Sequence, residues 1–134
     1  MVEPEQHAIA HDADVVLIRQ AGRRLAEAIG FSPAEATMIA TAISEVARNI
    51  VSYAGQGEVL LQPTAERGRQ GLRVIARDEG PGIPDPARAL EDGFSTGGGL
   101  GIGLPGARRL MDSLELSSAR GRGTTVTMVR WTPR

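Results

Sequence analysis

Two segments near the start of the chain carry apolar residues at the three- and four-residue spacing of an amphipathic helix. The first runs from Asp14, a suitable N-cap, to Gly30, a typical helix stop. Its predicted core stripe consists of Val15, Ile18, Ala21, Leu25, Ala28 and Ile29. The second covers residues 31–55 and ends at Gly55, with a predicted core stripe of Ile39, Ile43, Val46 and Ile50. The pattern therefore predicts two consecutive helices, each with one buried face.

The start of the second helix is marked by three residues that favour helix initiation. Ser32 can cap the helix, Pro33 suits the first helical position, and Glu35 completes a capping box. This segment is the clearest helix in the sequence.

The rest of the pattern alternates between short strands and glycine-rich connections. EVLLQPTAE (58–66) and LRVIARDEG (72–80) predict a hairpin joined by RGRQG, and SLELSSA and TTVTMVRW predict a second one across RGRG. PARALEDG allows a short helix, and LPGARRLMD predicts another, with Pro105 in its first turn. Residues 1–13 are interpreted as a leader with an edge strand around His7 to Ala10. We expect one domain over residues 1–134 with an α+β fold, a two-layer sandwich of helices against a mostly antiparallel β-sheet.

Composition narrows the classes of function. The 134 residues carry a net charge of −1 without a basic stripe, so we expect no nucleic-acid partner. No apolar run approaches the roughly 20 residues that span a bilayer, and the N-terminus lacks the regions of a signal peptide. The absence of Cys excludes disulfides and thiolate metal sites. We therefore expect a cytoplasmic protein without a membrane partner.

All 15 basic residues are Arg, and Lys is absent. This excludes the lysine of a Walker P-loop and the strand lysine of the common protein-kinase fold. A bound phosphate must therefore be neutralised by backbone N–H groups, by Arg or by a metal ion.

The segment FSTGGGLGIGLPGARRLMD, residues 94–112, concentrates glycine immediately before a predicted helix. Glycine lets the backbone approach an anion closely, and a helix start presents unpaired N–H groups with a partial positive charge. A phosphate chain is therefore a natural ligand for this loop, although the same glycines also suit an ordinary turn.

On the second helix, Glu45 and Asn49 stand four residues apart on one face. That face lies about a quarter-turn from the core stripe, where a pocket wall would meet solvent. Asn49 can offer an oxygen to Mg²⁺, and Glu45 can orient or deprotonate a hydroxyl. A solvated polar pair is the alternative interpretation.

Two further motifs flank predicted strands. Asp78 ends a strand in DEGPGIPD, where Gly80 and Gly82 open space beside a carboxylate that can accept a hydrogen bond from the amino group of adenine. Thr124 starts the last strand after Gly-x-Gly, where its hydroxyl can join Asp78. As isolated motifs, both also fit ordinary turns.

Taken together and in this order, these motifs resemble the GHKL (Bergerat-fold) ATP-binding superfamily: Glu-x-x-x-Asn on a helix, Asp-x-Gly-x-Gly after a strand, a glycine loop entering a helix, and Gly-x-Gly-Thr before a strand. The resemblance implies that Asn49 binds Mg²⁺, that Asp78 binds adenine, and that the glycine loop closes over the phosphates of ATP. It also implies that Glu45 is a general base, and Arg48 is a candidate additional positive charge near the nucleotide. The full nucleotide-binding set expected is Arg48, Asn49, Asp78, Gly80, Gly82, Ile83, Gly98, Gly99, Leu100, Gly101, Gly103, Leu104 and Thr124.

From about Asp14 to Trp131 the sequence is similar to the stressosome switch serine/threonine kinases, relatives of the bacterial anti-sigma-factor kinases. It carries the ARN and GFSTGGGLG details that distant GHKL proteins lack. This similarity implies phosphorylation of Ser or Thr on STAS-domain scaffold and antagonist proteins, and activation of a PP2C-type phosphatase by binding. Two alternatives stay open: a nucleotide-dependent binding switch with little or no kinase activity, and an anti-sigma factor that binds a sigma subunit directly.

Overall fold

The computed structural model describes residues 2–82, 90, 103–118 and 121–133. Over these residues the chain forms three α-helices, one π-helical turn and five strands. Their bounds, in chain order, are β1 Glu5–Ile9, α1 Asp12–Ile29, α2 Pro33–Asn49, the π turn Ile50–Ala54, β2 Gly57–Glu66, β3 Arg69–Asp78, α3 Gly103–Leu110, β4 Ser113–Ser118 and β5 Thr124–Trp131.

The five strands form one antiparallel sheet in the order β1-β2-β3-β5-β4, with the helices packed against it. Alternate residues of the central strands point into the core, because successive side chains of a strand face opposite sides of the sheet. In the central strands the core-facing residues include Val59, Leu61, Leu72, Val74, Ala76, Val126 and Met128, and they belong to one hydrophobic core with the buried faces of α1 and α2. The expected α+β architecture is therefore confirmed.

Both predicted hairpins are present, but the first has a shorter connection than expected. We expected RGRQG to form the loop, whereas only Arg67 and Gly68 lie between the strands, with φ of +51° and +80°. Positive φ at both positions is the geometry whose twist matches that of paired strands. The rest of the expected loop belongs to β3, which pairs with β2 along its whole length.

Helix α1 begins at Asp12, and its N-cap is His11, three residues before the predicted N-cap Asp14. Asp14 lies in the first turn, where its Oδ2 accepts hydrogen bonds of 2.9 Å from the backbone N–H groups of Ala10 and of His11. These two bonds hold the pKa of the Asp14 carboxyl below its ordinary value. The carboxylate thus stabilises the helix start from inside the first turn rather than from the N-cap position.

The predicted core stripe of α1 is correct except at its C-terminal end. Ala28 is exposed, whereas Gly22 and Ala26 are buried instead. A Cβ on Gly22 would lie 2.4 Å from Cδ1 of Ile43, so α1 and α2 approach each other closely at this point. The buried face of α1 includes Gly22 and Ala26 because α2, and not only the sheet, covers this helix.

The capping box at the start of α2 is confirmed. Ser32 Oγ accepts a hydrogen bond of 3.2 Å from Glu35 N, and Glu35 Oε1 accepts one of 3.2 Å from Ser32 N. The four predicted core residues of this helix are buried.

The end of the second helix differs from the prediction. The α-helix stops at Asn49, and a π-helical turn continues to Ala54, so the predicted regular helix up to Gly55 is wrong over its last five residues. Gly55 N donates to Ile50 O at 2.9 Å, which closes the wider turn. Such turns are frequent at functional sites, and Asn49 lies where this one begins.

The segment before α1 is part of the sheet. The edge strand expected around His7 to Ala10 is confirmed as β1, which pairs with β2. The short helix expected in PARALEDG lies outside the described residues except for Leu90. In the part of the chain that the structure describes, no helix combines the length and apolarity needed to cross a membrane.

Replacing Glu35 with Gln tests the capping box through pH. The Ser32 backbone N–H, then the Ser32 hydroxyl and the charge of Arg130, hold the pKa of Glu35 below 4.5. The ionised carboxylate therefore stabilises the native state above this pH, and the stabilisation is lost as the pH falls below it. In urea denaturation from neutral pH to about pH 3, the difference in unfolding free energy between wild type and Glu35→Gln should shrink. Glu27→Gln, an exposed position on α1, is the control; a Glu35→Gln difference that is constant with pH would contradict this assignment.

Two glycines in the β4–β5 connection form a matched pair for a stability test. Gly121 and Gly123 have φ of +77° and +78°, so alanine at either position should cost about 1–2 kcal/mol in backbone strain. A Cβ on Gly121 meets no described atom within 4 Å, whereas one on Gly123 would lie 2.1 Å from the carbonyl oxygen of Asp78. Gly123→Ala should therefore lower the unfolding free energy by about 1–3 kcal/mol more than Gly121→Ala in urea denaturation. If both substitutions lower the unfolding free energy equally, the close approach of Gly123 to Asp78 does not restrict the side chain at position 123.

Candidate functional site

Several of the predicted site residues line one cleft between the end of α2, the start of α3 and the ends of β3 and β5. Asn49, Asp78, Gly82, Leu104 and Thr124 all border it. Apolar walls come from Val46, Ile50, Ala76 and Val126. The structure thus brings together residues that are up to 75 positions apart along the chain, from Asn49 to Thr124.

Sheet register explains why the two polar residues on the strands meet. Asp78 is the last residue of β3, and Thr124, the first residue of β5, lies directly opposite it. On the other side of Asp78, Gly57 is its partner at the start of β2. The carboxylate therefore lies at one edge of the sheet between two neighbouring strands.

Three glycines crowd around Asp78. Gly80 N donates a hydrogen bond of 2.9 Å to Asp78 Oδ1. A Cβ on Gly57 would lie 3.1 Å from Asp78 Cβ, and a Cβ on Gly123 would lie 2.1 Å from the Asp78 carbonyl oxygen. The sequence motifs contain Gly80, and Gly123 as part of Gly-x-Gly-Thr, but not Gly57. The contacts of Gly57 and Gly123 with Asp78 arise only when the strands pair.

Ser118, at the end of β4, is a second residue that the sequence did not single out. Its hydroxyl lies 2.9 Å from the Thr124 hydroxyl and donates a hydrogen bond of 2.9 Å to the carbonyl oxygen of Gly123. These contacts fix the side chain of Thr124 opposite Asp78. The only signal for Ser118 was its position at the end of a predicted strand.

Glu45 lies beside the cleft rather than on its wall, and it is more deeply buried than expected, with 6% of its surface exposed. Its Oε1 accepts a hydrogen bond of 2.7 Å from Gly103 N, the first residue of α3. Its Oε2 accepts a hydrogen bond from the guanidinium of Arg48. Because Leu104 borders the cleft and follows Gly103 directly, Glu45 links α2 to the helix start that forms one side of the cleft.

Arg48 is among the described residues, but it does not border the cleft. The partner of the Arg48 guanidinium is Glu45, and about half of the Arg48 side chain is exposed. Whether Arg48 meets a ligand stays a prediction. Ile83, Gly98, Gly99, Leu100 and Gly101 lie outside the described residues.

A larger groove adjoins the same edge of the sheet. It measures about 660 Å³ and is bordered by the end of β1, the start of β2 and the end of β3. It shares only Asp78 with the predicted set, whereas the cleft includes five residues of that set. The cleft itself encloses only about 20 Å³, far less than the roughly 300 Å³ or more of small-molecule pockets. It must therefore widen to admit a ligand of nucleotide size.

The chemistry of the cleft fits an adenine nucleotide. Apolar walls suit a flat base, and the Asp78 carboxylate beside the Thr124 hydroxyl suits a base with an amino group at its edge. Among the described residues, no group of three or more His, Cys, Asp or Glu could hold a metal ion. The amide oxygen of Asn49 is the oxygen that suits a Mg²⁺ ion held mainly by phosphates and water.

Comparison with known proteins identifies the family of this chain. Residues 9–130 match the family model described as "Histidine kinase-like ATPase domain". The chain is 52% identical over 118 residues to the serine/threonine-protein kinase RsbT of Bacillus subtilis, covering 88% of this chain and 89% of that protein. It is 33% identical over 103 residues to the anti-sigma F factor of Bacillus licheniformis, covering 72% of this chain and 69% of that protein.

Solved structures share the fold at low sequence identity. One contains the RsbU and RsbW domains of a Mycobacterium tuberculosis protein, with a TM-score of 0.65 and 21% identity over 98% of this chain and 33% of that one. Another is the mycobacterial sensor histidine kinase MprB, with a TM-score of 0.57 and 17% identity over the full length of both chains. With the match to the family model, these findings show that the chain belongs to the histidine kinase-like ATPase domain family, the GHKL proteins, and that within it the chain resembles RsbT.

Proposed function

We propose that this chain is a cytoplasmic protein kinase that transfers the γ-phosphoryl group of ATP to serine or threonine on protein partners in a bacterial partner-switching module. The observation that carries the proposal is the convergence of Asn49, Asp78 and Thr124 on one cleft at the start of α3. The 52% identity to RsbT supports this choice among the activities found on the fold.

Adenine recognition would rest on Asp78 and Thr124. The carboxylate accepts a hydrogen bond from the exocyclic amino group of adenine, while guanine presents a carbonyl oxygen there and is repelled. Gly80 N holds Asp78 Oδ1, which leaves the carboxylate a second oxygen for the base. Gly82 borders the cleft where a side chain would occupy space needed by the nucleotide.

Phosphate binding would rest on Asn49 and the start of α3. The Asn49 amide oxygen is the proposed Mg²⁺ ligand, and bound Mg²⁺ would offset the negative charge of the phosphates. The N–H groups of Gly103 and Leu104 lie at a helix start, where anions are favoured. We assign Gly98, Gly99, Leu100 and Gly101 to the same phosphate contacts, and Ile83 to the wall of the cleft. Because the chain has no Lys, backbone N–H groups must supply much of the phosphate binding.

In the proposed reaction, the hydroxyl oxygen of a serine or threonine forms a bond to the γ-phosphorus. The bond from that phosphorus to the bridging oxygen breaks, and ADP leaves. Glu45 accepts the hydroxyl proton, while positioning and charge neutralisation supply the remaining rate enhancement. Glu45 now accepts one hydrogen bond at each oxygen, and the hydroxyl would approach one of these two oxygens.

The proposed protein substrates are STAS-domain scaffold and antagonist proteins, and the kinase would activate a PP2C-type phosphatase by binding it. This assignment follows from the similarity to RsbT. Incubation with radiolabelled ATP, Mg²⁺ and a STAS-domain protein from the same genome, followed by mapping of the modified residue, tests it. Labelled serine or threonine supports the proposal, and absence of label with such partners contradicts it.

The second candidate is a nucleotide-dependent anti-sigma factor that acts by binding. The identity to an anti-sigma F factor favours it. A pull-down with sigma factor, phosphatase and STAS-domain protein as separate baits distinguishes the two, because only the anti-sigma factor should retain a sigma subunit.

Asp78→Asn tests adenine recognition. Asn keeps an oxygen for the Gly80 N–H but removes the charge that would strengthen the bond to adenine, so the Kd for ATP should rise at least about tenfold. Isothermal titration calorimetry measures this change. Glu79→Gln, at the exposed neighbouring position, is the matched control and should leave the Kd within about twofold. Unchanged affinity in Asp78→Asn would contradict the assignment.

Glu45→Gln tests the general base. The Gln amide oxygen can still accept from Gly103 N, but the side chain accepts no proton at neutral pH. Phosphoryl transfer should fall by about 10²–10⁴, while the Kd for ATP changes little. Transfer at the wild-type rate would mean that another group takes the proton.

A further inference from the structure

Glu45 is a charged side chain in a position that normally excludes charge. Of the residues described, Glu45 and Ser44 are the buried polar ones, and Glu45 alone of the two is ionisable. An ionised carboxylate in the interior needs hydrogen bonds and a counter-charge, since burial without them costs several kcal/mol. The group that supplies the counter-charge therefore also fixes the orientation of the Glu45 carboxylate.

The two oxygens of Glu45 have different partners. Oε1 accepts from a backbone amide, Gly103 N, on a different helix, whereas Oε2 accepts from Arg48, three residues further along α2. The Arg48 partner moves with α2, because both side chains belong to that helix, while the amide belongs to α3. One contact therefore lies within α2, and the other joins two helices.

We propose that Arg48 is a positioning residue for phosphoryl transfer, which holds Glu45 Oε2 so that Oε1 can exchange between the Gly103 N–H and the hydroxyl of the protein substrate. This inference rests on the proposed function, since it assigns Arg48 to the base rather than to the nucleotide. A phosphate that reaches the start of α3 competes with Glu45 for the Gly103 N–H. Nucleotide binding would thus release Oε1 for the hydroxyl, while Arg48 keeps the carboxylate oriented.

The contacts of Arg48 favour this role over direct nucleotide binding. Its guanidinium is hydrogen-bonded to Glu45, and Arg48 is not among the residues that border the cleft. A planar guanidinium also fixes a carboxylate more firmly than an ammonium group does. Arg48→Lys should therefore keep the charge and restore part of what Arg48→Ala loses.

The first test needs no kinase activity. In ¹⁵N-labelled protein without nucleotide, hydrogen exchange at the Gly103 amide should rise roughly tenfold in Arg48→Ala, because the carboxylate that it donates to is no longer held. Arg48→Lys should give an intermediate rate. Arg108→Ala, which removes an exposed positive charge from α3 itself, is the matched control and should leave the rate unchanged. Unchanged Gly103 exchange in Arg48→Ala would overturn the inference.

The second test separates positioning from binding. Arg48→Ala should lower kcat about tenfold or more while the Kd for ATP stays within about twofold, and it should lower kcat no further in a Glu45→Gln background. A raised Kd with unchanged kcat, or full additivity of the two substitutions, would overturn it. If the wild-type protein transfers no phosphate, the proposed function fails, and the Gly103 exchange result still decides whether Arg48 positions Glu45.

Discussion

The antiparallel register of β3 and β5 is the constraint on which the site depends. It places Asp78 directly opposite Thr124, and because side chains alternate along a strand, a shift of one residue would turn either side chain to the other face of the sheet. Gly123 lets the backbone at the start of β5 approach the Asp78 carbonyl oxygen, and Ser118 then holds the Thr124 hydroxyl from the next strand. The polar edge of the cleft therefore depends on the pairing of β3 with β5 and of β5 with β4.

The other side of the cleft depends on a buried carboxylate. Glu45 joins the core helix α2 to the first amide of α3, so the element next to the glycine loop is tied to the most deeply packed helix of the chain. The π turn after Asn49 continues the wall of the cleft through Ile50 and Tyr53 and then joins β2. The candidate general base, the candidate metal ligand and the helix start are consequently positioned by one helix, while the candidate adenine-binding residues are positioned by the sheet.

The features that the sequence predicted are those set by local chemistry. The capping box of Ser32 and Glu35, the buried face of α2 and both hairpins follow from short-range spacing, and all were found. The motif residues Asn49, Asp78 and Thr124 were placed together through the order of their motifs, not through their individual signals. What escaped prediction depends on tertiary contacts: the π turn closes where Gly57 packs against Ile50, and the exposure of Ala28 follows from the close approach of α1 to α2 at Gly22. The pairing of Arg48 with Glu45 was not predicted for a different reason. Two opposite charges three residues apart on a helix usually form only a weak surface ion pair.

We propose that one adenine nucleotide binds in the cleft between α2, α3 and the ends of β3 and β5. Backbone amide chemical shifts recorded by NMR during titration with ATP and Mg²⁺ test this binding most directly. We expect the largest changes at Gly82, Gly103, Leu104 and Thr124, which belong to the cleft or to the helix start beside it. Changes centred instead on Ala8, Glu58 and Thr125, which line the larger groove, or no saturable change at all, would contradict it.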